Sequence, residues 1–230
     1  AMVAIRPTRA PALGDQLATV LRDQIVRRTL AAGTHLVEDA LAAEYDVSRG
    51  PVRDALRQLE SQGLVESRRR GYFVVGLTQD DIDDLYELRE AIELVAVTKA
   101  MENVTTQQLQ AGRAIVQTMT DCADRAAASE FAEADMKFHA LLYQMSGNRR
   151  LIDVWKSYEP VFASIIQLTV EEDVDLHPSA RDHGYLIDLI EGSDTKALRA
   201  ELRDHLDGAR ARMARAIRAL NESASSEQVS

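Results

Sequence analysis

The chain has 230 residues, enough for two small domains, and its 46% hydrophobic content is ordinary for a globular protein. Its net charge of −10 at first argues against a nucleic-acid partner. One cysteine excludes an internal disulfide, which fits a reducing cytoplasm, and no run of residues approaches the roughly 18 apolar positions of a membrane helix, so no membrane partner is predicted.

The charge is unevenly distributed along the chain. Residues 1–78 hold 11 Lys+Arg against 9 Asp+Glu, whereas residues 79–230 hold 16 against 28. Because salt screens exposed charges beyond about 8–10 Å, a local basic surface can bind DNA even on an acidic protein. The basic residues of the first segment are all arginines, and six of them fall in two groups, at 49–57 and at 68–70.

The first segment shows helical periodicity and then a change of period. Apolar residues recur every four positions and predict a first helix over 13–28. A short helix is expected over 38–45 and another over 51–62. The period then becomes two, which predicts strands over 64–67 and 72–75 joined as a hairpin. We therefore expect a winged helix-turn-helix domain over residues 1–76.

The remainder of the chain shows no strand pattern. We expect an all-helical, antiparallel bundle over 79–222 and a disordered Ser- and Glu-rich tail over 223–230. Ser129 and Asp194 are expected to cap helix N-termini. The predicted helices are 80–102, 105–127, 129–146, 148–170, 178–191 and 194–220.

The third predicted helix has the features of a DNA-reading helix. Arg49, Arg53 and Arg57 follow one another at intervals of four, so they share a face, while Val52 and Leu56 lie opposite. The planar fork of arginine suits guanine or a phosphate, and Ser48 precedes the helix as a possible cap or phosphate donor. A row of arginines is also common on a helix face that is only exposed to solvent, and acidic residues lie near this row. The row alone therefore does not distinguish a DNA-binding face from a solvent-exposed one.

The predicted hairpin strengthens the DNA interpretation. Its tip is Arg68-Arg69-Arg70-Gly71, which places three guanidiniums where a wing reaches the neighbouring groove or backbone. Glycine allows the turn to come close to its surroundings.

These residues resemble the DNA-binding domain of the GntR family of bacterial regulators over 13–76. The resemblance implies that Arg49 and Arg53 contact bases or phosphates, with Ser48 helping and Gly71 at the wing. Asp39 departs from the pattern, because some members carry a DNA-contacting arginine there. The matching stretches are Leu36-Val37-Glu38-Asp39-Ala40-Leu41-Ala42, Val47-Ser48-Arg49-Gly50-Pro51-Val52-Arg53-Asp54-Ala55-Leu56 and Gly63-Leu64-Val65.

The second segment contains a candidate set of metal ligands. Asp135 and His139 are one helical turn apart and point from one face, while His183 and His205 fall on two later helices. One carboxylate and three imidazoles that converge would bind a first-row divalent metal such as Zn, Ni or Mn. Spacing alone does not prove that they meet, and each histidine would otherwise make an ordinary hydrogen bond.

Residues 79–220 resemble the FCD effector domain of the FadR subgroup, and six helices favour its VanR-like branch. The stretches that carry the resemblance are Asp84-Leu85-Tyr86-Glu87-Leu88-Arg89, Asp135, Phe138-His139, Gly147-Asn148, Asp182-His183 and His205-Leu206. In metal-binding members, an Asp, a His one turn later and two further His bind the ion. The resemblance therefore implies that Asp135, His139, His183 and His205 are the ligands.

The same resemblance implies a small organic acid as effector, bound beside the metal. Arg89 is the first candidate to pair with its carboxylate, although an ion pair with Glu93 at i+4 is an equal alternative. Tyr86, Arg149 and Tyr185 are weaker candidates for the pocket.

The function expected from the sequence is a cytoplasmic, homodimeric transcription regulator, a repressor by preference, that binds double-stranded operator DNA and responds to the organic acid. Two alternatives stay open. A metalloenzyme would use the metal to activate water, but the sequence has no HExxH motif and no evident general base. A metal sensor would respond to the ion itself.

Overall fold

The structure, a computed structural model, describes residues 12–227, with side chains as far as residue 220. Expectations for residues 1–11 and 228–230 therefore lie outside the described residues. The chain divides between Leu77 and Thr78 into two compact units.

The first unit contains three helices and a small antiparallel sheet. Its elements are α1 (Leu13–Val26), β1 (His35–Leu36), α2 (Glu38–Glu44), α3 (Arg49–Ser61), β2 (Val65–Arg68) and β3 (Gly71–Val74). The strand order is β1-β3-β2, with His35 opposite Phe73 and Arg68 opposite Gly71. The sequence analysis missed β1, because a two-residue strand is too short to show a period of two.

The third helix is anchored by an apolar stripe. Val52, Ala55, Leu56 and Leu59 are fully buried, so the opposite face must point away from the core. The helix begins at Arg49, two residues before the predicted start at Pro51. Proline is tolerated in this first turn because the N–H groups there have no partner within the helix.

The second unit contains six helices among the described residues, as expected. They are α4 (Gln79–Asn103), α5 (Thr106–Asp124), α6 (Ala128–Met145), α7 (Arg149–Glu172), α8 (His177–Gly192) and α9 (Thr195–Glu227). α6 packs against α4, α5 and α7, while α8 and α9 pack against each other. The shared core includes Phe138, Leu142, Ile187 and Leu202.

The helix ends of this unit show which local signals were correct. Asp194 caps α9, since its Oδ1 accepts from the backbone N–H of Ala197 at 3.0 Å. The cap expected at Ser129 is wrong, because α6 starts at Ala128 with Ala127 before it. The tail expected to be disordered from residue 223 is helical as far as Glu227, where α9 ends, while residues 228–230 lie outside the described residues.

Candidate metal centre and DNA-binding surface

The arginines of α3 project away from the core of the first unit. The side chains of Arg49 and Arg53 are 62% and 53% exposed, and Arg57 is exposed one turn later. Arg49 Nε lies 2.5 Å from Asp39 Oδ1, and Arg53 Nε lies 2.7 Å from Glu38 Oε2. Two of the three guanidiniums are therefore held toward α2 by carboxylates that a DNA phosphate would have to replace. Ser48 occupies the N-cap position, but its side chain makes no capping hydrogen bond.

The hairpin presents its arginines at its tip. Arg68 ends β2 and Gly71 begins β3, which leaves exposed Arg69 and Arg70 as the two-residue turn. Gly71 is required there for two reasons. Its φ is +122°, and a Cβ at this position would lie 3.0 Å from His35 Nε2. The guanidinium of Arg68 lies over the Phe73 ring at 4.8 Å, a cation–π contact between the two strands of the hairpin.

The second unit brings the four predicted metal ligands together. One ring nitrogen from each of His139, His183 and His205 lies within 4.8 Å of the others, and all three side chains are buried. Asp135 Oδ1 lies 3.1 Å from His183 Nε2, and Asp135 Oδ2 lies 3.7 Å from His139 Nε2. One carboxylate and three imidazoles from α6, α8 and α9 therefore face a common centre.

Two neighbouring groups fix the orientation of the imidazoles. His183 Nδ1 lies 2.7 Å from the carbonyl oxygen of Ser179, one turn earlier on α8, so Nδ1 donates and Nε2 keeps its lone pair. Glu93 on α4 places Oε1 2.7 Å from His139 Nδ1 and 3.5 Å from Arg89 Nε. In each case, the second ring nitrogen is directed toward the centre, which is the usual arrangement around a bound metal.

The electrostatics of the cluster favour the ionised form of Asp135 and the neutral forms of His139 and His205. Burial alone would raise the pKa of Asp135, but His183 and His139 hold it well below its ordinary value. Burial lowers the pKa of His139, and Arg89 lowers it further. Burial also lowers the pKa of His205, together with the two neighbouring histidines. Neutral imidazole and ionised carboxylate are the forms that bind metal.

The buried polar atoms of the cluster are not satisfied by the protein. Asp135 Oδ2, His139 Nε2 and His183 Nε2 are inaccessible to solvent and have no hydrogen-bond partner among the described residues. Such atoms are costly unless a further group pairs with them. A divalent cation at the centre would satisfy all three at once, so the donor set fits a first-row metal ion.

A small cavity lies against this cluster, which we call the inner cavity. Its open space is about 20 Å³, which is room for an ion or a water molecule but not for an organic acid. Tyr86 and Arg89, two of the predicted effector residues, line it. Both are buried, and within the part of the chain that the structure describes Arg89 Nε and Nη2 have no hydrogen-bond partner.

The other two predicted effector residues, Arg149 and Tyr185, do not line the inner cavity. Arg149 begins α7, whereas the α7 residues that line the inner cavity start at Ile166, which is about 25 Å further along the helix. Tyr185 is 49% exposed. It follows His183 by two residues, and two helical positions rotate a side chain by about 200°, away from the cluster.

Three residues of this site were not predicted from the sequence in the roles they have here. Glu93 was expected as a partner of Arg89 and not of His139, and the carbonyl of Ser179 leaves no mark in a side-chain pattern. Arg212 also lines the inner cavity, and its only signal was its spacing of seven residues from His205 on the same helix.

Comparison with known proteins agrees with both units. Residues 84–208 match the FCD domain, and residues 13–75 match the bacterial regulatory proteins of the gntR family. The chain belongs to the GntR family. Its relatives include the gluconate operon transcriptional repressor of Bacillus subtilis, which is 28% identical over 199 residues, 84% of this chain and 82% of the relative.

Solved structures show the same fold. This GntR regulator matches Escherichia coli McbR/YncC with a TM-score of 0.70 at 20% identity, over 90% of this chain and 99% of the other. A GntR family member from Pseudomonas syringae gives a TM-score of 0.57 at 24% identity, over 94% and 91%.

The family and these relatives are transcriptional regulators, not enzymes, so this chain is a DNA-binding transcription regulator with an FCD effector domain. Among the residues that the structure describes, no helix combines the length and apolarity needed to cross a membrane.

Proposed function

We propose that this GntR regulator binds operator DNA as a homodimer, and that a small carboxylate bound beside a divalent metal in the second unit changes its operator affinity. Asp135, His139, His183 and His205 hold the metal. The observation that carries the proposal is the convergence of these four buried donors, three of whose polar atoms have no other partner.

The bound metal and two residues of the inner cavity would each make a different contact with the effector. A bound metal would supply a positive charge that attracts the effector carboxylate. Arg89, which is paired with Glu93 at 3.5 Å, supplies a second cation at the wall of the inner cavity, and its Nε and Nη2 make no hydrogen bond among the described residues. Tyr86 adds a phenol at the same wall. The relatives named for the gluconate operon put sugar acids among the first effectors to test.

The first unit supplies the DNA contacts. Arg49, Arg53 and Arg57 on α3 would enter the major groove with Ser48 at the helix start, while Arg68, Arg69, Arg70 and Gly71 form the wing. Two copies related by a two-fold axis would place two such helices about one turn of DNA apart, which requires a homodimer and a near-palindromic operator.

The test uses two histidines of α8 as a matched pair. His183 belongs to the cluster, whereas His177 lies at the helix start and pairs with Asp124 and Asp175. We expect His183→Ala to lose the co-purifying metal and His177→Ala to keep it, as measured by elemental analysis. Metal at a thousandfold excess over its Kd should stabilise the wild type by about 4 kcal/mol against thermal unfolding. The His177 variant should show the same gain, and the His183 variant should not.

The functional readout is operator affinity by fluorescence anisotropy. Metal-loaded wild type should change its operator affinity when a panel of hydroxy, sugar and aromatic acids is added, and the His183 variant should not. If the metal alone changes operator affinity and no acid does, the protein is a metal sensor. If both wild type and variant respond equally to the acids, the effector does not bind at this cluster and the proposal is wrong.

A further inference from the structure

One face of α9 connects the metal cluster to a second cation. His205, Ala209 and Arg212 are spaced by four and then three residues, so they lie in one row, and all three line the inner cavity. Since a helix rises 1.5 Å per residue, Arg212 lies about 10 Å along α9 from His205. The wall formed by α9 therefore has a metal-ligating imidazole at one end and a guanidinium at the other.

Arg212 lies at the boundary between the inner cavity and a larger outer hollow. The outer hollow has an open volume of about 300 Å³ and shares Thr169, Asp173 and Arg212 with the inner cavity. Its charged lining residues are two arginines, Arg212 and Arg215, and two acids, Glu172 and Asp173. The pair of Arg212 and Asp173 thus lines both the small space beside the cluster and one large enough for part of an organic acid.

This pair is weak enough to be exchanged. Arg212 Nε lies 3.5 Å from Asp173 Oδ2, longer than the 2.7–2.9 Å of a charge-assisted hydrogen bond, and the two side chains are 28% and 24% exposed. A guanidinium binds a well-placed carboxylate in a bidentate manner, which this arrangement does not provide. An incoming anion with better geometry would therefore replace Asp173.

Part of the inner-cavity lining is apolar. Phe131 of α6, Ile166 and Val170 of α7, and Ala209 of α9 contribute to it. These side chains offer no partner for a polar chain but suit methylene groups. The lining thus combines two guanidiniums and an apolar part with the histidines of the cluster and with further polar or acidic residues, namely Tyr86, Asp135, Thr169, Asp173 and Ser179.

From this arrangement we infer that the effector is an acid with two anionic ends, and that Arg212 selects it by binding the end remote from the metal. The inference rests on the proposed function, because the first anionic end binds beside the metal and Arg89. Binding parts Arg212 from Asp173 and joins the inner cavity to the outer hollow, which provides the room that the inner cavity alone lacks. Arg212 is a specificity-determining residue and takes no part in holding the metal.

The test compares acids of equal carbon number on metal-loaded protein by isothermal titration calorimetry. The diacids malonate, succinate, glutarate and adipate are compared with the monoacids propionate, butyrate, valerate and hexanoate, respectively. We expect one or two of the diacids to bind the wild type at least about tenfold more tightly than the matching monoacid, since the second end gains charge-assisted hydrogen bonds. Arg212→Gln should remove this preference and leave monoacid affinity unchanged.

Two further variants sharpen the result. Arg218→Gln changes another arginine of α9, exposed and outside both cavity linings, and should keep the wild-type preference. Asp173→Asn removes the competing carboxylate and should tighten diacid binding. Equal binding of the two classes by the wild type, or an equal loss of both in Arg212→Gln, would overturn the role of Arg212 and leave the proposed function intact. If neither these nor the sugar and hydroxy acids bind, the proposed function fails together with this inference.

Discussion

Glu93 provides a sharp test of how the metal cluster is held. Its carboxylate is fully buried, and it lies 2.7 Å from His139 Nδ1 and 3.5 Å from Arg89 Nε. Burial alone would raise the pKa of Glu93, but Arg89 and His139 lower it, so the group stays ionised. We expect Glu93→Leu to lower metal affinity about 10–100-fold, the usual cost of losing the group that orients a ligating histidine.

The same substitution also affects stability, and the two effects must be separated. Arg89, only 1% exposed, would lose its buried counter-ion, which costs about 3–5 kcal/mol when one partner of a buried pair is removed. The double variant Arg89→Met Glu93→Leu leaves no lone charge in the pair and should recover most of that stability. It should not recover the metal affinity, since His139 remains unoriented.

The assays are urea unfolding of the metal-free protein and metal competition titration with a coloured chelator. Glu93→Gln is the conservative control, because its amide oxygen still accepts from Nδ1–H and should keep most of the metal affinity. If Glu93→Leu binds metal within about twofold of the wild type while its metal-free stability falls, then Glu93 only neutralises Arg89, and its orienting role is refuted.

Three further predictions concern other parts of the molecule. Arg53→Ala should weaken binding to a selected operator by about 1–3 kcal/mol in anisotropy titrations, and unchanged affinity would exclude a base contact. Asp39→Asn should tighten binding to specific and random DNA alike, by about 1 kcal/mol or less, because Arg49 no longer has to leave a carboxylate; weaker binding would contradict this. The pKa of His177 is raised by Asp124 and then Asp175, the latter also near Arg181. The contacts of His177 with Asp124 and Asp175 therefore stabilise the fold below the unfolded-state pKa of histidine, about 6.5. This stabilisation is lost as the pH rises through the folded-state pKa of His177. The Tm difference between wild type and His177→Gln should accordingly be largest at low pH and shrink above neutrality, and a constant difference would contradict it.

The helices were predictable because their signal is local. Apolar residues at helical spacing place α1 and α3 in the first unit, and breaks such as Gly147-Asn148 separate the helices of the second. Asp135 and His139 share a face by spacing alone, so that half of the cluster follows from the sequence. The predicted helices place His183 and His205 on two later helices, but that these residues meet Asp135 and His139 was implied only by the resemblance, because no spacing rule relates residues on different helices.

The parts that could not be predicted all depend on packing between elements. Glu93 and His139 lie on α4 and α6, 46 positions apart, and only the bundle brings them to 2.7 Å. Arg149 and Tyr185 were assigned to the pocket by residue type, but helix geometry places one about 25 Å along α7 from the residues that line the inner cavity and turns the other outward. Whether a residue belongs to a site thus depends more on its position along the helix and on the face it occupies than on the chemistry of its side chain.

The proposed regulation can also be tested through the effect of operator DNA on effector binding, because thermodynamic linkage requires the coupling to be reciprocal. If an effector changes operator affinity by a given factor, operator DNA must change effector affinity by the same factor, because both report one coupling free energy. A tenfold effect corresponds to about 1.4 kcal/mol, and it must arise from contacts that differ between the two protein states. Exchange of the Arg212–Asp173 pair is one such difference, since a two-ended acid favours the state in which the pair is parted. Calorimetric affinities for the acid, measured with and without saturating operator, should therefore differ by the factor seen in the DNA titrations. Arg212→Gln should reduce both factors together. If both factors stay at their wild-type values, the acid and the DNA are not coupled through this pair.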